Sequence, residues 1–324
     1  MLERHLAGRI AHERKPGGLP FVPNVMPVRM RVAEFIPDGN GGLKRNTDYN
    51  SVDQLDPSKP VWVVVHGRND KDESGKMIEL EKELTQNGYQ VVSIDWREAA
   101  QSITVDGEAW IQAVGDWSYQ ALVAAGIQGE MIRMGVHSWG SLVGYEIAEH
   151  FKVVNGFGVD SIVALDPAID PSLSMYYDAS QVNFASVSKA STAFWSSAWG
   201  SAGRAQTAHR TIELRTEAAV DPEIIANQTL KHSMAVTTFA NLLKLKRIDP
   251  TNQIAAKFSW SSNELSGIPA SAGIDAWMSV DPFREVGAES SDKYIDAIPL
   301  SMTFTNPDDT SEDLYFINER GYLE

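Results

Sequence analysis

Ser138 has the most pointed chemistry in the chain. It stands between His137 and Trp139, with Gly140 two places on. The run Met131 to Val136, apolar but for Arg133, predicts a short buried strand, and a helical pattern follows from about Trp139 to Phe151. A strand that turns sharply into a helix at a serine lifts the hydroxyl above the sheet. It also aims free backbone N–H groups at whatever the hydroxyl attacks. The motif for that turn is G-x-S-x-G, and here it reads Val136-x-Ser138-x-Gly140, with a glycine one place early at Gly135. Valine at 136 predicts an elbow splayed where strand and helix pass closest. On that reading, Val136→Gly raises turnover.

A serine hydroxyl is a weak nucleophile at neutral pH and needs a base within hydrogen-bond reach. The usual base is histidine, held in one tautomer by a carboxylate. Where such a turn carries a triad, the acid follows the serine and the histidine comes last. Asp166 meets the first condition, because it ends the next apolar run, Ser161 to Leu165. Asp170 competes from four residues further into the loop. In isolation Asp166 also reads as an ordinary turn residue before Pro167. Two histidines come late enough. His209 falls in an alternating, strand-like stretch. His232 falls in what reads as a loop before a helix over Met234 to Leu245, which is where a third triad member belongs. His66 and His137 read as scaffold, His66 holding the loop after an early strand and His137 lying on its strand's far face. Two backbone N–H groups are expected to receive the oxyanion, those of Trp139 and of Arg68 in the early loop.

These residues need elements to carry them. Val61 to Val65 and Tyr89 to Ile94 are apolar runs suited to central strands buried on both faces. Helical spacing follows over Met77 to Leu84 and Glu108 to Ile127. Strand and helix alternate through Leu165, which predicts a mostly parallel sheet with right-handed crossovers. Chemistry gathers at the carboxyl ends of such strands, and His66, Asp95, Ser138 and Asp166 all fall there. Met30 to Ile36 reads as a strand leading into a Gly-rich hairpin at the sheet edge. Residues 1–28, with four prolines, read as an irregular segment.

Composition sets the outer limits. The 324 residues can bury a full core, and the net charge of −15 argues against nucleic acid and against anionic membrane surfaces. Neutral or zwitterionic substrates and small esters are untouched by that argument. With no cysteine there is no disulfide, thiolate metal site or cysteine nucleophile. No apolar core follows the charged N-terminus and no run suits a membrane helix. A cytoplasmic protein, or one exported without a leader, is the expectation.

The motifs Val64-Val65-His66-Gly67, Ile94-Asp95-Trp96-Arg97, Gly135-Val136-His137-Ser138-Trp139-Gly140 and Leu165-Asp166-Pro167-Ala168 together resemble the pancreatic-lipase family over about residues 30 to 245. The resemblance implies an α/β-hydrolase fold, with Ser138 as nucleophile, Asp166 as acid and His232 as base. It also implies an oxyanion hole from the N–H groups of Arg68 and Trp139. That family's lid would be confined here to Arg215–Lys231, too short to cover a wide apolar site, which favours phospholipase or esterase behaviour. A structural calcium in the loop after the acid strand is also implied. Asp170 and Asp178 are available for it, with Gln181 where another carboxylate would help. The chemistry itself requires no cofactor. Met175, Tyr176, Tyr177, Phe194, Trp195 and Trp199 are candidates for an acyl-binding wall or for core.

The expected organisation is an irregular segment over 1–28, an α/β-hydrolase catalytic domain over 29–249 and a β-rich extension over 250–324. The expected activity is hydrolysis of carboxylic esters of lipids through an acyl-serine. The rivals are a weak or silent binding protein of the same fold and an enzyme for thioesters or amides. The expected partner is a lipid or small ester substrate; the sequence leaves the oligomeric state open.

Overall fold

A computed structural model describes residues 6–11, 25–46, 52–101, 109–169, 177–215, 227–248, 250, 276–279, 301–306 and 309–316. Thirteen strands are seen among them. They are β1 (Leu6–Ala11), β2 (Val25–Val32), β3 (Phe35–Pro37), β4 (Leu43–Arg45), β5 (Val61–Val65), β6 (Gln90–Asp95), β7 (Ile132–His137), β8 (Val159–Leu165), β9 (Ser188–Trp195), β10 (Arg210–Arg215), β11 (Ala276–Ser279), β12 (Ser301–Asn306) and β13 (Asp309–Phe316). The helices are α1 (Gly75–Gln86), α2 (Arg97–Ala100), α3 (Ala109–Ala124), α4 (Gly140–Asn155), α5 (Phe184–Val187), α6 (Ala202–Ala205) and α7 (Gln228–Ile248).

Eleven strands form one sheet in the order β1-β2-β6-β5-β7-β8-β9-β10-β11-β12-β13. From β6 to β11 neighbours run parallel, and β1, β2, β12 and β13 close the two sides with antiparallel pairs. This is the α/β-hydrolase arrangement, a mostly parallel sheet flanked by helices. The central strand β5, VWVVV, is apolar throughout because both its faces are covered. In β5, Val61, Val63 and Val65 point into the core under α3 and α4, while Trp62 and Val64 point into the core under α1 and α7. β8 splits the same way, Ile162 and Ala164 to one side and Val163 and Leu165 to the other.

The N-terminal stretch expected to be irregular contains β1, which pairs antiparallel with β2 from Leu6 opposite Met30 to Ala11 opposite Val25. Pro27 lies within β2, opposite Arg9, and Pro16, Pro20 and Pro23 lie outside the described residues. The Gly-rich hairpin forms, but as a separate β3–β4 ribbon, its turn held by Asp38 Oδ1, which accepts the N–H groups of Asn40 (2.7 Å) and Gly42 (2.9 Å). Beyond residue 250, β11 joins the main sheet against β10. Most of the expected β-rich extension over 250–324 lies outside the described residues. No helix among the described residues is long and apolar enough to cross a membrane.

Candidate active site

The end of β7 carries Ser138 in the left-handed region, at φ 54°. A non-glycine residue held there is strained by about 1–3 kcal/mol and persists only where its surroundings fix it. Ser138 N–H donates to Leu165 O (3.1 Å), and its own carbonyl accepts from Ser141 N–H (3.0 Å) and Ser141 Oγ (2.6 Å). Gly140, where α4 begins, passes so close to β5 that a Cβ would lie 2.5 Å from Val65 O and 2.6 Å from His66 O. Only glycine fits there.

The expected splaying by Val136 is not seen. The small residue required at the crossing is supplied by the helix instead of the strand. Val136 is fully buried, and its Cγ1 would lie 2.7 Å from a Cβ on Gly144, one turn into α4. Strand and helix thus approach closely with the glycine and the bulky partner exchanged.

Asp166 ends β8 in the same left-handed conformation, at φ 48°, and is fully buried. Such a carboxylate must be satisfied from all sides. Its Oδ1 accepts Ser196 N–H (2.7 Å) and Ser197 N–H (3.2 Å), and its Oδ2 accepts the Ser197 hydroxyl and His232 Nδ1 (2.6 Å). Ser197 Oγ also lies 3.2 Å from His232 Nδ1 and accepts the N–H groups of Trp199 (3.1 Å) and Gly200 (3.2 Å). One hydroxyl therefore ties acid, histidine and loop together. Asp170, the competing acid, lies outside the described residues.

His232 is not in a loop. It sits in the second turn of α7, which begins at Gln228. With Asp166 on Nδ1, its Nε2 is left for chemistry. The edge of Trp199 meets its ring at 5.7 Å. Among the described residues no hydrogen bond joins the Ser138 hydroxyl to His232. Catalytic contacts of this kind often tighten only when substrate binds.

His137 is not on the far face. It lines the same cavity as Ser138 and His232, its ring 4.7 Å from the His232 ring, and its Nε2 meets the His232 carbonyl at 3.0 Å. A carbonyl only accepts, so Nε2 carries the proton. Burial pushes the imidazole well below its usual pKa, helped by the Lys76 cation, so His137 is neutral. It fixes the backbone of α7 at the proposed base. His66 is fully buried and scaffolds the early loop, as its place suggested. Its Nε2 accepts Trp96 N–H (3.1 Å), so Nδ1 donates to Gly67 O (3.0 Å). His209 meets Ser191 Oγ at 2.8 Å, away from the cavity lining.

The cavity over Ser138 has a volume of about 490 Å³. Arg68, Asn69, Asp70 and Lys76 line one side. Trp139, Ala168, Ile169 and Trp199 line another, with Thr229, His232 and Ser233 from α7. The backbone N–H groups of Arg68 and Trp139 donate no hydrogen bond among the described residues, which leaves them available to an oxyanion. The loop bearing Arg68 is anchored by Asp72, which pairs with Arg31 (2.6 Å), Arg97 (2.7 Å) and Arg45 (3.2 Å).

The aromatic wall differs from expectation. Phe194 is core, packed on Phe239, and does not line the cavity. Trp195 turns its Nε1 back to Ser197 O (3.1 Å) and also stays out of the lining. Tyr177 is buried, its hydroxyl donating to Glu146 Oε1 (2.6 Å). Tyr176 and Met175 lie outside the described residues. The aromatic residues at the cavity are Trp199 and Trp139. Of the residues offered for calcium, Asp170 lies outside the described residues. Asp178 is spent on capping, its Oδ1 accepting Ser180 N–H (3.1 Å) and Ser180 Oγ (2.6 Å). No group of three or more metal-binding side chains occurs among the described residues. Most of the proposed lid, residues 216–226, lies outside them.

No protein-family model matches the chain, and no curated protein matches it. The resemblance to pancreatic lipases therefore gains no support. Solved structures give distant likenesses. A carboxylesterase from Lactobacillus plantarum is 12% identical, with 68% of this chain and 77% of that one covered and a TM-score of 0.30. A hyperthermophilic esterase from the archaeon Pyrobaculum calidifontis is 19% identical, covering 52% and 47%, at TM-score 0.29. A bromoperoxidase from Bacillus anthracis is 14% identical, covering 44% and 41%, also at 0.29. Similarity at this level places no activity on the chain.

Proposed function

We propose that the chain is a serine hydrolase cleaving carboxylic esters, including esters of lipids, through an acyl-serine. The observation that carries this reading is the His232–Asp166 hydrogen bond at 2.6 Å on the cavity that also holds Ser138 at a strained strand–helix turn. In the first half-reaction His232 Nε2 takes the Ser138 proton as Oγ bonds to the ester carbonyl carbon. The tetrahedral oxyanion accepts from the N–H groups of Trp139 and Arg68. The carbon–alkoxy bond then breaks and His232 returns the proton to the leaving alcohol. In the second half-reaction water gives a proton to His232, attacks the acyl carbon, and frees Ser138 and the acid. Buried Asp166 stabilises the imidazolium formed in both. The half-exposed Ile169 and Trp199 at the rim support an apolar acyl chain.

Hydrolysis of 4-nitrophenyl butyrate tests the reading. The wild type should turn it over, Ser138→Ala should lose at least about a thousandfold, and a fluorophosphonate should label Ser138. Absence of both turnover and labelling overturns the reading in favour of a silent binding protein. Matched thioester and amide substrates separate the remaining chemistries.

A further inference from the structure

Arg68 enters the preceding reading only through its backbone N–H. Its side chain has a second property. Three residues with formal charge line the cavity: Arg68, Asp70 and Lys76. Asp70 and Lys76 cancel, with Lys76 Nζ 3.0 Å from Asp70 Oδ2 and also donating to Ser233 Oγ (3.1 Å). His137 is neutral, because burial holds it so. Arg68 is left as the cation at this cavity with no ion pair among the described residues. In a chain of net charge −15, this exposed arginine with no acidic partner among the described residues is the group an anion entering the cavity would meet.

The guanidinium is also organised. It lies over the Trp139 ring at 4.7 Å from the centroid. The indole face attracts the cation, and the Arg68 side-chain N–H groups, which donate no hydrogen bond among the described residues, can bind carboxylate or phosphate in bidentate fashion. Trp139 directly follows Ser138, so the fork is held beside the reacting centre. Half-exposed Trp199 and Ile169 stand at the same cavity and offer apolar contact.

We infer that the Arg68 side chain is a specificity-determining group that selects esters bearing an anionic group, carboxylate or phosphate, on the acyl or alcohol part. This rests on the ester-hydrolase reading. It narrows the substrate class from neutral esters to anionic ones.

Two matched pairs of esters test it. On the acyl side, mono-4-nitrophenyl glutarate is compared with 4-nitrophenyl pentanoate. On the alcohol side, 4-carboxyphenyl butanoate is compared with its methyl ester. In at least one pair the anionic member should have the higher kcat/KM, and that pair identifies the side Arg68 reads. Arg68→Gln should lower the anionic-to-neutral ratio about tenfold, the loss of one partly exposed charge-assisted contact. Arg68→Lys should keep part of it. Raising salt to 1 M should lower the ratio in the wild type and leave it flat in Arg68→Gln. A ratio below one in both wild-type pairs, or one that neither Arg68→Gln nor salt moves, overturns the inference.

A binding arm needs no turnover. Calorimetric titration of Ser138→Ala with monomethyl glutarate and with dimethyl glutarate should favour the monoanion about tenfold, and Arg68→Gln in that background should abolish the preference. Equal binding overturns the inference even if esters are hydrolysed. Lack of turnover with a retained, Arg68-dependent preference overturns the hydrolase reading and keeps the anion site.

Discussion

Gly144→Ala, read together with Val136→Ala, tests the packing that shapes the elbow. The new Cβ at 144 would sit 2.7 Å from Val136 Cγ1, 3.5 Å from Cγ2 and 3.4 Å from Cβ. Overpacking of this kind costs about 1–3 kcal/mol. Replacing a mid-helix glycine by alanine returns about 1 kcal/mol, so the single variant should lose about 1 kcal/mol. Val136→Ala removes two fully buried methyl groups. At about 0.8 kcal/mol each plus the residual void, that is a loss of about 2–3 kcal/mol. In the double variant both close γ contacts are gone, the 3.4 Å contact is ordinary, and the alanine methyl refills part of the void. Its loss should be about 1 kcal/mol, not the additive 3–4 kcal/mol, a coupling of about 2–3 kcal/mol. Urea unfolding of the four proteins gives this number, provided their m-values agree. Hydrolysis of 4-nitrophenyl butyrate follows the geometry. Gly144→Ala pushes α4, and with it the Trp139 N–H, away from β7, so kcat should fall and the double variant should recover it. Additivity within about 0.5 kcal/mol would refute the interlock. So would a rise in turnover in Val136→Gly, since Gly144 already provides the room that variant would create.

Ser197→Ala removes the hydroxyl shared by Asp166 and His232 and leaves the N–H groups of Trp199 and Gly200 without their acceptor. We expect kcat to fall about tenfold, the equivalent of about 1.4 kcal/mol, with little change in KM; an unchanged kcat removes Ser197 from the network. Asp72→Asn strips the anion from three guanidinium partners, Asp72 being 1% exposed. Breaking a buried network this way should cost about 3–5 kcal/mol, read as a lower urea midpoint, and a loss under about 1 kcal/mol would show the arginines re-pairing with Asp95 and Glu73. Burial pushes the Glu81 carboxyl up to about 7, outweighing Arg45, whose 3.1 Å contact is not aligned as a hydrogen bond, and the Ser93 hydroxyl at 2.6 Å. The folded pKa lies above the unfolded one. Stability is therefore full below about pH 4.5, falls as only the unfolded chain ionises, and levels off above about pH 7. Glu81→Gln should flatten unfolding free energy between pH 5 and 8, and an unchanged slope there would place the titration elsewhere.

Strands β5 to β8 were legible because burial on both faces leaves apolar runs, as in Val61–Val65 and Ile162–Leu165. β1 was not, because Gly8 and Arg9 interrupt it and its pairing with β2 is a long-range fact. The start of α7 was hidden for a local reason. Gln228 to Ser233 faces the cavity in part, so the helical apolar pattern begins only at Met234, and His232 read as loop. Ser138, Asp166 and His232 could be singled out by residue type and order. Ser197 could not, since one loop serine looks like its neighbours Ser196 and Ser201 until Asp166 is seen to need a fourth donor. Phe194 and Trp199 were indistinguishable as aromatics. A strand with both faces covered buries the first, and the loop after it exposes the second. Val136 misled because the elbow motif counts the strand's residues and not the helix residue that crosses them.

Two of the three left-handed non-glycine residues described, Ser138 and Asp166, follow neighbouring strands, and their N–H groups reach carbonyls near the end of the next strand, Leu165 and Phe194. The sheet thus places strained backbone at two members of the proposed triad. Glycine would relax both at no steric cost. At 166 that relief is outweighed by the four donors the buried carboxylate satisfies. Selection of a variant library for heat tolerance alone would therefore drift toward glycine at 138, enriching folded protein while removing the proposed nucleophile.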